Sequence, residues 1–319
     1  MLDTRLDRTI AAFLEGDRRS AARLMTVVES GGPAAATVLD ALYPRLRGVP
    51  RLGITGPPGV GKSTLVDALV RQRRANDQRV GVVAVDPTSP FTGGAVLGDR
   101  VRLGDLTADP GVFIRSMATR GSLGGLARAT KEVVDVLEAF GLEALLIETV
   151  GVGQTEMDIA STADTTVVVL SPESGDAIQA MKAGLMEAAD VLVVNKSDRP
   201  GADQMVRTLQ ADLHMRPPSP WSPPVVKAIA SRGDGIDQVV TAIDAHQEHL
   251  AASGELERRR RDRVRAEMTA VLRDRLWRRA ERDLADLMPA WTDRIASGEA
   301  TPYAAARALL ATLLEEDDA

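Results

Sequence analysis

Two short stretches carry residue types and spacings that can do chemistry on a nucleotide. The first, Gly56-Pro57-Pro58-Gly59-Val60-Gly61-Lys62-Ser63-Thr64, fits G-x-x-x-x-G-K-[ST]. Its glycines let backbone N–H groups turn inward without Cβ clashes, so they can surround a polyphosphate. Lys62 would set its ammonium on the terminal phosphates, and the Ser63 hydroxyl would hold Mg²⁺. The second stretch, Asn195-Lys196-Ser197-Asp198, fits N-K-x-D, whose physical use is base selection. The Asp198 carboxylate can accept from both N1–H and the 2-amino group of guanine. Adenine presents an acceptor at N1 and no 2-amino group, so the charge would stay unpaired; sites built this way discriminate by roughly 10⁴. Lys196 would lie along the base plane, and Asn195 would tie adjacent loops together.

Other candidates cluster around these two. Glu148 ends the apolar run ALLIE, and a carboxylate suits Mg²⁺, a hard cation bound by oxygen. In common GTPases an aspartate stands three residues before a glycine whose amide senses the γ-phosphate. Here Glu148 and Gly151 hold those places, and the glutamate is a departure. Gln154 follows in GVGQTE, either in a loop that moves with the nucleotide or as a helix-capping residue. Asp86 precedes Pro87, which forces an extended exit. The long polar segment DPTSPFTGGAVLGDRVR then runs on, and Asp86 and Asp99 are its candidate Mg²⁺-linked carboxylates. Asp99 also suits a plain surface loop. Asp176 with Gln179 reads as a capping box. Asp176 and Lys182 do not stack on one helical face but can reach different neighbours across the nucleotide site. Ala230, in AIASRGDGI, sits where a loop amide could meet guanine O6. Ile229 stands where GTP-binding folds often carry serine, so only the backbone contribution is expected. Arg100, Arg115 and Arg120 are nearby sources of transition-state charge, and the sequence does not choose among them.

The elements that must position these residues follow from periodicity. Residues 1–48 show helical spacing broken at Gly31-Gly32-Pro33 and read as a helical cap without chemistry. From 49 to 250, apolar runs alternate with helical stretches. Expected strands are Leu52–Thr55, Val80–Asp86, Val112–Ser116, Ala144–Glu148, Thr165–Leu170, Val191–Asn195 and Val225–Ile229. The runs are continuously apolar, as in a mostly parallel sheet with helices on both faces, an α/β P-loop NTPase domain. Several of them end in polar residues at one sheet edge, where such sheets bind ligands. Residues 251–319 read as a helical arm whose apolar stripe suits packing on the main domain or, preferably, on a second copy. The Arg258–Arg261 run, with acids interleaved, reads as a solvated face, as do His246 and His249.

Composition bounds the rest. At 319 residues the chain can bury a full core, and a net charge of −6 argues against a nucleic-acid partner. Zero cysteines exclude disulfides and thiolate metal sites. No apolar run reaches membrane-spanning length and nothing reads as a leader, so no membrane association and a cytoplasmic home are expected.

Taken together, GPPGVGKST, VDPTSPFTGGAVLGDR, FIRSMATRGSLGGLA, ETVGVGQTE, SGDAIQAMKAG and NKSD resemble the MeaB group of P-loop GTPases. That group includes the methylmalonic aciduria type A protein and chains once called ArgK transport ATPases. The resemblance covers roughly residues 45–250; the helical ends are similar in layout only. It implies a GTPase chaperone that gates adenosylcobalamin loading and protects or reactivates a cobalamin-dependent acyl-CoA mutase. GTP or GDP and Mg²⁺ would be its ligands, with no cobalamin held tightly on this chain. A homodimer through the C-terminal helices and an adenosyltransferase as a further partner are also implied. Residue by residue, Lys62, Ser63 and Thr64 would bind phosphate and Mg²⁺, and Asn195, Lys196 and Asp198 would bind guanine. Asp86, Asp99 and Glu148 would be metal-linked switch carboxylates, and Asp176 and Lys182 part of a third switch that senses the partner. Three rivals stand beside this: a nucleotide-gated scaffold without useful hydrolysis, a nickel- or zinc-insertion GTPase, and an amino-acid-transport kinase suggested only by old naming. The absence of cysteine disfavours metal insertion.

Overall fold

The computed structural model describes residues 4–86, 104–118, 123–149, 162–174 and 186–315. The chain divides into two compact units, Met1–Arg260 and Arg261–Ala319. The first is built on a seven-stranded, all-parallel sheet. Its strands are β1 (Arg51–Thr55), β2 (Val80–Asp86), β3 (Val112–Ala118), β4 (Ala144–Thr149), β5 (Thr165–Leu170), β6 (Val191–Val194) and β7 (Val225–Lys227). In space they run β3-β2-β4-β1-β5-β6-β7. The expected strands are therefore present, with β3 longer and β7 shorter than the apolar runs alone indicate.

Alternation along each strand explains why these runs have no polar face. Val80 and Val82 of β2 join one core and Val83 and Val85 the other. Val191 and Val193 of β6 likewise face away from Leu192 and Val194. Successive side chains point to opposite faces, and helices cover both, so apolar residues are needed on both faces. One face is covered by α4 (Lys62–Ala75) and α7 (Ile236–Ser253), through Leu65, Leu69, Val239 and Ile243. The other is covered by α5 (Leu123–Ala139) and α6 (Ala202–His214), through Val133, Leu137, Met205 and Leu209.

The N-terminal helices α1 (Thr4–Leu14), α2 (Arg18–Ser30) and α3 (Gly32–Leu42) add a further layer over α5. Asp17 caps α2, accepting from the Ser20 amide at 2.8 Å and the Ser20 hydroxyl at 2.6 Å. Three of the chain's four phenylalanines seal this layer: the Phe140 ring centroid lies 5.3 Å from that of Phe13 and 5.9 Å from that of Phe113. The second unit holds most of α8 (Glu255–Asp283), with α9 (Met288–Ala296) and α10 (Pro302–Glu315). No helix among the described residues is long and apolar enough to cross a membrane.

Candidate nucleotide site

The carboxyl ends of β1, β2, β4, β5 and β6 meet at one sheet edge, and the site is assembled there. β1 ends at Thr55, and the chain turns at once through Gly56, Gly59 and Gly61, all with positive φ. Two of these glycines are fixed by close neighbours. A Cβ on Gly56 would lie 2.0 Å from the Val169 carbonyl oxygen, and one on Gly61 would lie 2.5 Å from Asn195 Nδ2. The loop is therefore shaped from below by β5 and from the side by the N-K-x-D stretch. Gly61 then starts α4 without a side-chain cap, so the first amides of that helix face outward over the loop.

Lys62, 7 % exposed, folds its ammonium back over the loop and donates to the carbonyls of Gly56 at 2.7 Å and Pro57 at 2.9 Å. A cation among inward-turned amides favours an anion of high charge density. The Ser63 hydroxyl donates to Glu148 Oε1 at 2.7 Å, joining the start of α4 to the end of β4. Beneath them the Thr149 hydroxyl donates to that of Thr55 at 3.0 Å, in the buried interior. Hydroxyl and carboxylate oxygens set side by side are the donor set a hard divalent cation requires, so these residues fit Mg²⁺. Asp86 closes β2 two positions beyond Ala84, the register partner of Glu148, so the backbone brings it to the same edge.

At the other end of the loop, Asn195 holds three segments together. Its Nδ2 donates to the Val60 carbonyl at 2.8 Å and its Oδ1 accepts from the Ala230 amide at 3.0 Å. Its own amide donates to Leu170 at the end of β5 at 2.8 Å. This buried amide side chain therefore fixes the phosphate loop, the N-K-x-D turn and the loop after β7 at one spacing. Next to it Lys196 adopts a left-handed φ of 54° and extends its ammonium to Glu173 Oε2 at 3.0 Å. Asp198 accepts from Arg232 Nη2 at 3.2 Å and is otherwise open to solvent.

The Ala230 amide, expected from the sequence to meet guanine O6, donates to Asn195 in this structure. The next residue, Ser231, has an amide with no acceptor among the described residues, and no sequence signal distinguishes it from Ala230. Arg115 also lies elsewhere than a transition-state role would need. It pairs with Glu29 and bonds the Thr26 hydroxyl at 3.3 Å, both on α2. Thr64 is exposed on the first turn of α4. Asp99, Gly151, Gln154, Asp176 and Lys182 lie outside the described residues, as do Arg100 and Arg120. For Asp86 the backbone alone is described.

The opposite sheet edge carries an ionic network that the sequence does not announce. Arg51 Nη2 is 2.6 Å from Asp135 and 2.8 Å from Glu138. Burial opposes its charge, but these two carboxylates more than offset that and hold its pKa above the usual guanidinium value. Asp164 accepts from the Arg51 amide and from Arg260, both at 3.1 Å. Asp190 accepts from the Thr166 amide at 2.8 Å and from Arg259 Nη2 at 3.1 Å, with His246 Nε2 at 3.1 Å. His246 is fully buried, so a solvated face is the wrong reading for it. Arg259 and Arg260 are partly buried clamps on Asp190 and Asp164, which corrects that reading for these two, while Arg258 and Arg261 are exposed as it expects.

Comparison with known proteins gives consistent likenesses. The family model for "Methylmalonyl Co-A mutase-associated GTPase MeaB" matches residues 21–285. A Pyrococcus horikoshii protein provisionally named a GTPase is 43 % identical over 309 residues, covering 96 % of this chain and 97 % of that one. The mitochondrial methylmalonic aciduria type A homolog of Caenorhabditis elegans is 33 % identical over 332 residues, covering 97 % of this chain and 83 % of its own length. Among solved structures, a LAO/AO transport system kinase superposes over the whole of both chains with a TM-score of 0.72 at 26 % identity.

Proposed function

The chain belongs to the family of methylmalonyl Co-A mutase-associated GTPases MeaB, and from that membership we propose that it is a slow, Mg²⁺-dependent GTPase whose nucleotide cycle serves a cobalamin-dependent acyl-CoA mutase. The observation that carries the guanine reading is the Asn195 bridge, which sets the phosphate loop and the base-reading turn at one fixed spacing. In this reading Asp198 accepts from guanine N1–H and the 2-amino group, exchanging its Arg232 contact for the base. The Ser231 amide meets O6, and the Lys196 stem lies along the ring.

Phosphoryl transfer leaves the protein positioning and electrostatics to supply. The Lys62 ammonium and the amides of residues 59–64 bind the phosphate oxygens and stabilise the charge that shifts among them as the terminal bond breaks. Ser63 and Glu148, with Asp86 and Asp99, would hold Mg²⁺, which when bound neutralises phosphate charge. Gly151 and Gln154 would sit by the terminal phosphate.

The partner reading rests on the family. The GTP state would contact the mutase differently from the GDP state, since a nucleotide biases a complex only by differential contact. Gating of adenosylcobalamin loading, protection of the mutase, an adenosyltransferase as a second partner and roles for Asp176 and Lys182 in sensing the mutase belong to this proposal. A homodimer is supported by the second unit. Val264, Met268, Leu272 and Leu276 of α8 recur every fourth residue and are all exposed. Such a ridge is one helical face, suited to the same face of a second copy. Single-turnover GTP hydrolysis with and without saturating methylmalonyl-CoA mutase or a close relative tests the coupling. A rate that rises with mutase supports it, and an unchanged rate contradicts it.

A further inference from the structure

The base-reading turn is held from an unexpected direction. Glu173 lies in the short 3-10 turn Pro172–Ser174 just past the end of β5, outside both nucleotide motifs. Its carboxylate accepts from Lys196 Nζ at 3.0 Å, and its other oxygen lies 3.9 Å from Arg199 Nε. The two loops also lie side by side: a Cβ on Gly201 would come within 3.8 Å of the Pro172 ring, an ordinary packing distance. Lys196 and Arg199 lie in one tight turn, with the Arg199 amide donating to the Lys196 carbonyl at 2.9 Å. Glu173 makes no other polar contact among the described residues, so its interactions are with this turn alone.

A lysine stem has four rotatable bonds and costs up to about 2 kcal/mol of rotamer freedom when held in one arrangement. For Lys196 the backbone direction is fixed by its left-handed φ, and the tip is fixed by Glu173. With both ends set, the methylene chain is laid out before the base arrives. Affinity gained by such preorganisation comes from a cost already met, without a new contact to the ligand. We propose that Glu173 is a positioning residue for guanine-nucleotide binding, pinning the Lys196 ammonium so that its stem forms a ready platform for the purine ring. The proposal deepens the guanine-nucleotide reading above and rests on it.

Three consequences separate this role from a general structural one. Because the platform touches only the base, Glu173→Gln weakens GDP and GTP alike, by about two- to fivefold, the scale of one exposed ion pair. Because it plays no part in the reaction, KM for GTP rises by that factor while kcat is unchanged. And because it acts through Lys196, the effect disappears in a Lys196→Met background. The experiment is fluorescence titration of the full chain with mant-GDP and mant-ADP, using wild type, Glu173→Gln, Glu173→Asp, Lys196→Met and the Glu173→Gln/Lys196→Met double variant, with steady-state GTP hydrolysis alongside. The expected result is weaker GDP binding in Glu173→Gln, partial recovery in Glu173→Asp, and no further loss in the double variant relative to Lys196→Met. GDP affinity in Glu173→Gln equal to or tighter than wild type overturns the proposal and leaves the guanine reading standing. A loss of the same size in the double variant as in wild type also overturns it. Wild-type protein that holds mant-ADP as tightly as mant-GDP overturns the guanine reading itself, and the proposal with it.

Discussion

The Ser63 hydroxyl donates to the Glu148 carboxylate at 2.7 Å, although the two residues stand 85 positions apart. The contact exists because β1 and β4 are parallel neighbours in register, Ile54 opposite Glu148, so that the turn after β1 opens directly over the end of β4. Glu148→Gln keeps the shape and removes the charge. It is expected to raise the Mg²⁺ concentration for half-maximal GTP hydrolysis by about 10- to 100-fold, with Mg²⁺-free GDP binding little changed. Magnesium titrations of hydrolysis and of mant-GDP fluorescence measure the two quantities separately. An unchanged Mg²⁺ requirement would remove Glu148 from the metal site.

Asn195 is the tie across the site, and its loss has a definite thermodynamic signature. Asn195→Ala strands the Val60 carbonyl and the Ala230 amide in buried surroundings. An unsatisfied buried group costs about 1–3 kcal/mol, so a fall in unfolding free energy of that order is expected in urea, together with weakened GDP binding. Lost stability without lost binding would reduce Asn195 to a purely structural role.

Gly56 gives a sharper steric prediction. Its φ of 142° and the 2.0 Å approach of a would-be Cβ to the Val169 carbonyl leave no room for a side chain. Gly56→Ala is expected to abolish nucleotide binding by displacing the loop from β5. Titration of that variant at full wild-type affinity would show that the loop is not set by this contact.

The far edge of the sheet predicts an acid limb in stability. Burial raises the Asp190 carboxyl pKa, but the bonds from His246 and Arg259 outweigh it and leave the net shift downward. A carboxyl whose folded pKa is depressed adds stability that is complete above its unfolded value of about 3.9 and is lost as pH falls through the folded value. Thermal unfolding from pH 7 to pH 3 should therefore show a steeper acid decline in wild type than in Asp190→Asn. Parallel curves would contradict this. Arg259→Ala leaves Asp190 without its guanidinium but still facing the Thr166 amide and His246, and is expected to lower stability at neutral pH by about 1–3 kcal/mol.

The second unit supplies an oligomeric test. Replacing Met268 and Leu272 by glutamate places charge in the middle of the exposed α8 ridge. Sedimentation velocity should show a dimer for wild type and a monomer for the double variant, with GDP affinity retained. A wild-type monomer at micromolar concentration would contradict the proposed dimer.

How much was legible in the sequence follows from where each interaction closes. The strands were readable because two-sided burial leaves an unbroken apolar run in the chain itself, as in VVVL of β5. The phosphate loop and N-K-x-D turn were readable because each is a contiguous motif. The ionic network at the other edge was not, because its partners are far apart: Arg51 meets Asp135 84 positions away and Asp164 113 positions away. His246 read as solvated because it sits on a helix with polar neighbours, and tertiary packing buries it, with Thr165 of β5 on one side and the Trp221 ring 4.9 Å away. The bond from the Ala230 amide to Asn195 was not legible because the two residues stand 35 positions apart. Glu173 was passed over because its partner belongs to a different loop.

Isothermal titration of the full chain with GDP, GTP, ADP and ATP in the presence of Mg²⁺ tests the central claim most directly. Binding of both guanine nucleotides at least roughly 10³-fold tighter than their adenine counterparts is the predicted result, because adenine leaves the Asp198 carboxylate unpaired. Equal affinity for adenine and guanine nucleotides, or no heat from any of them, would contradict it.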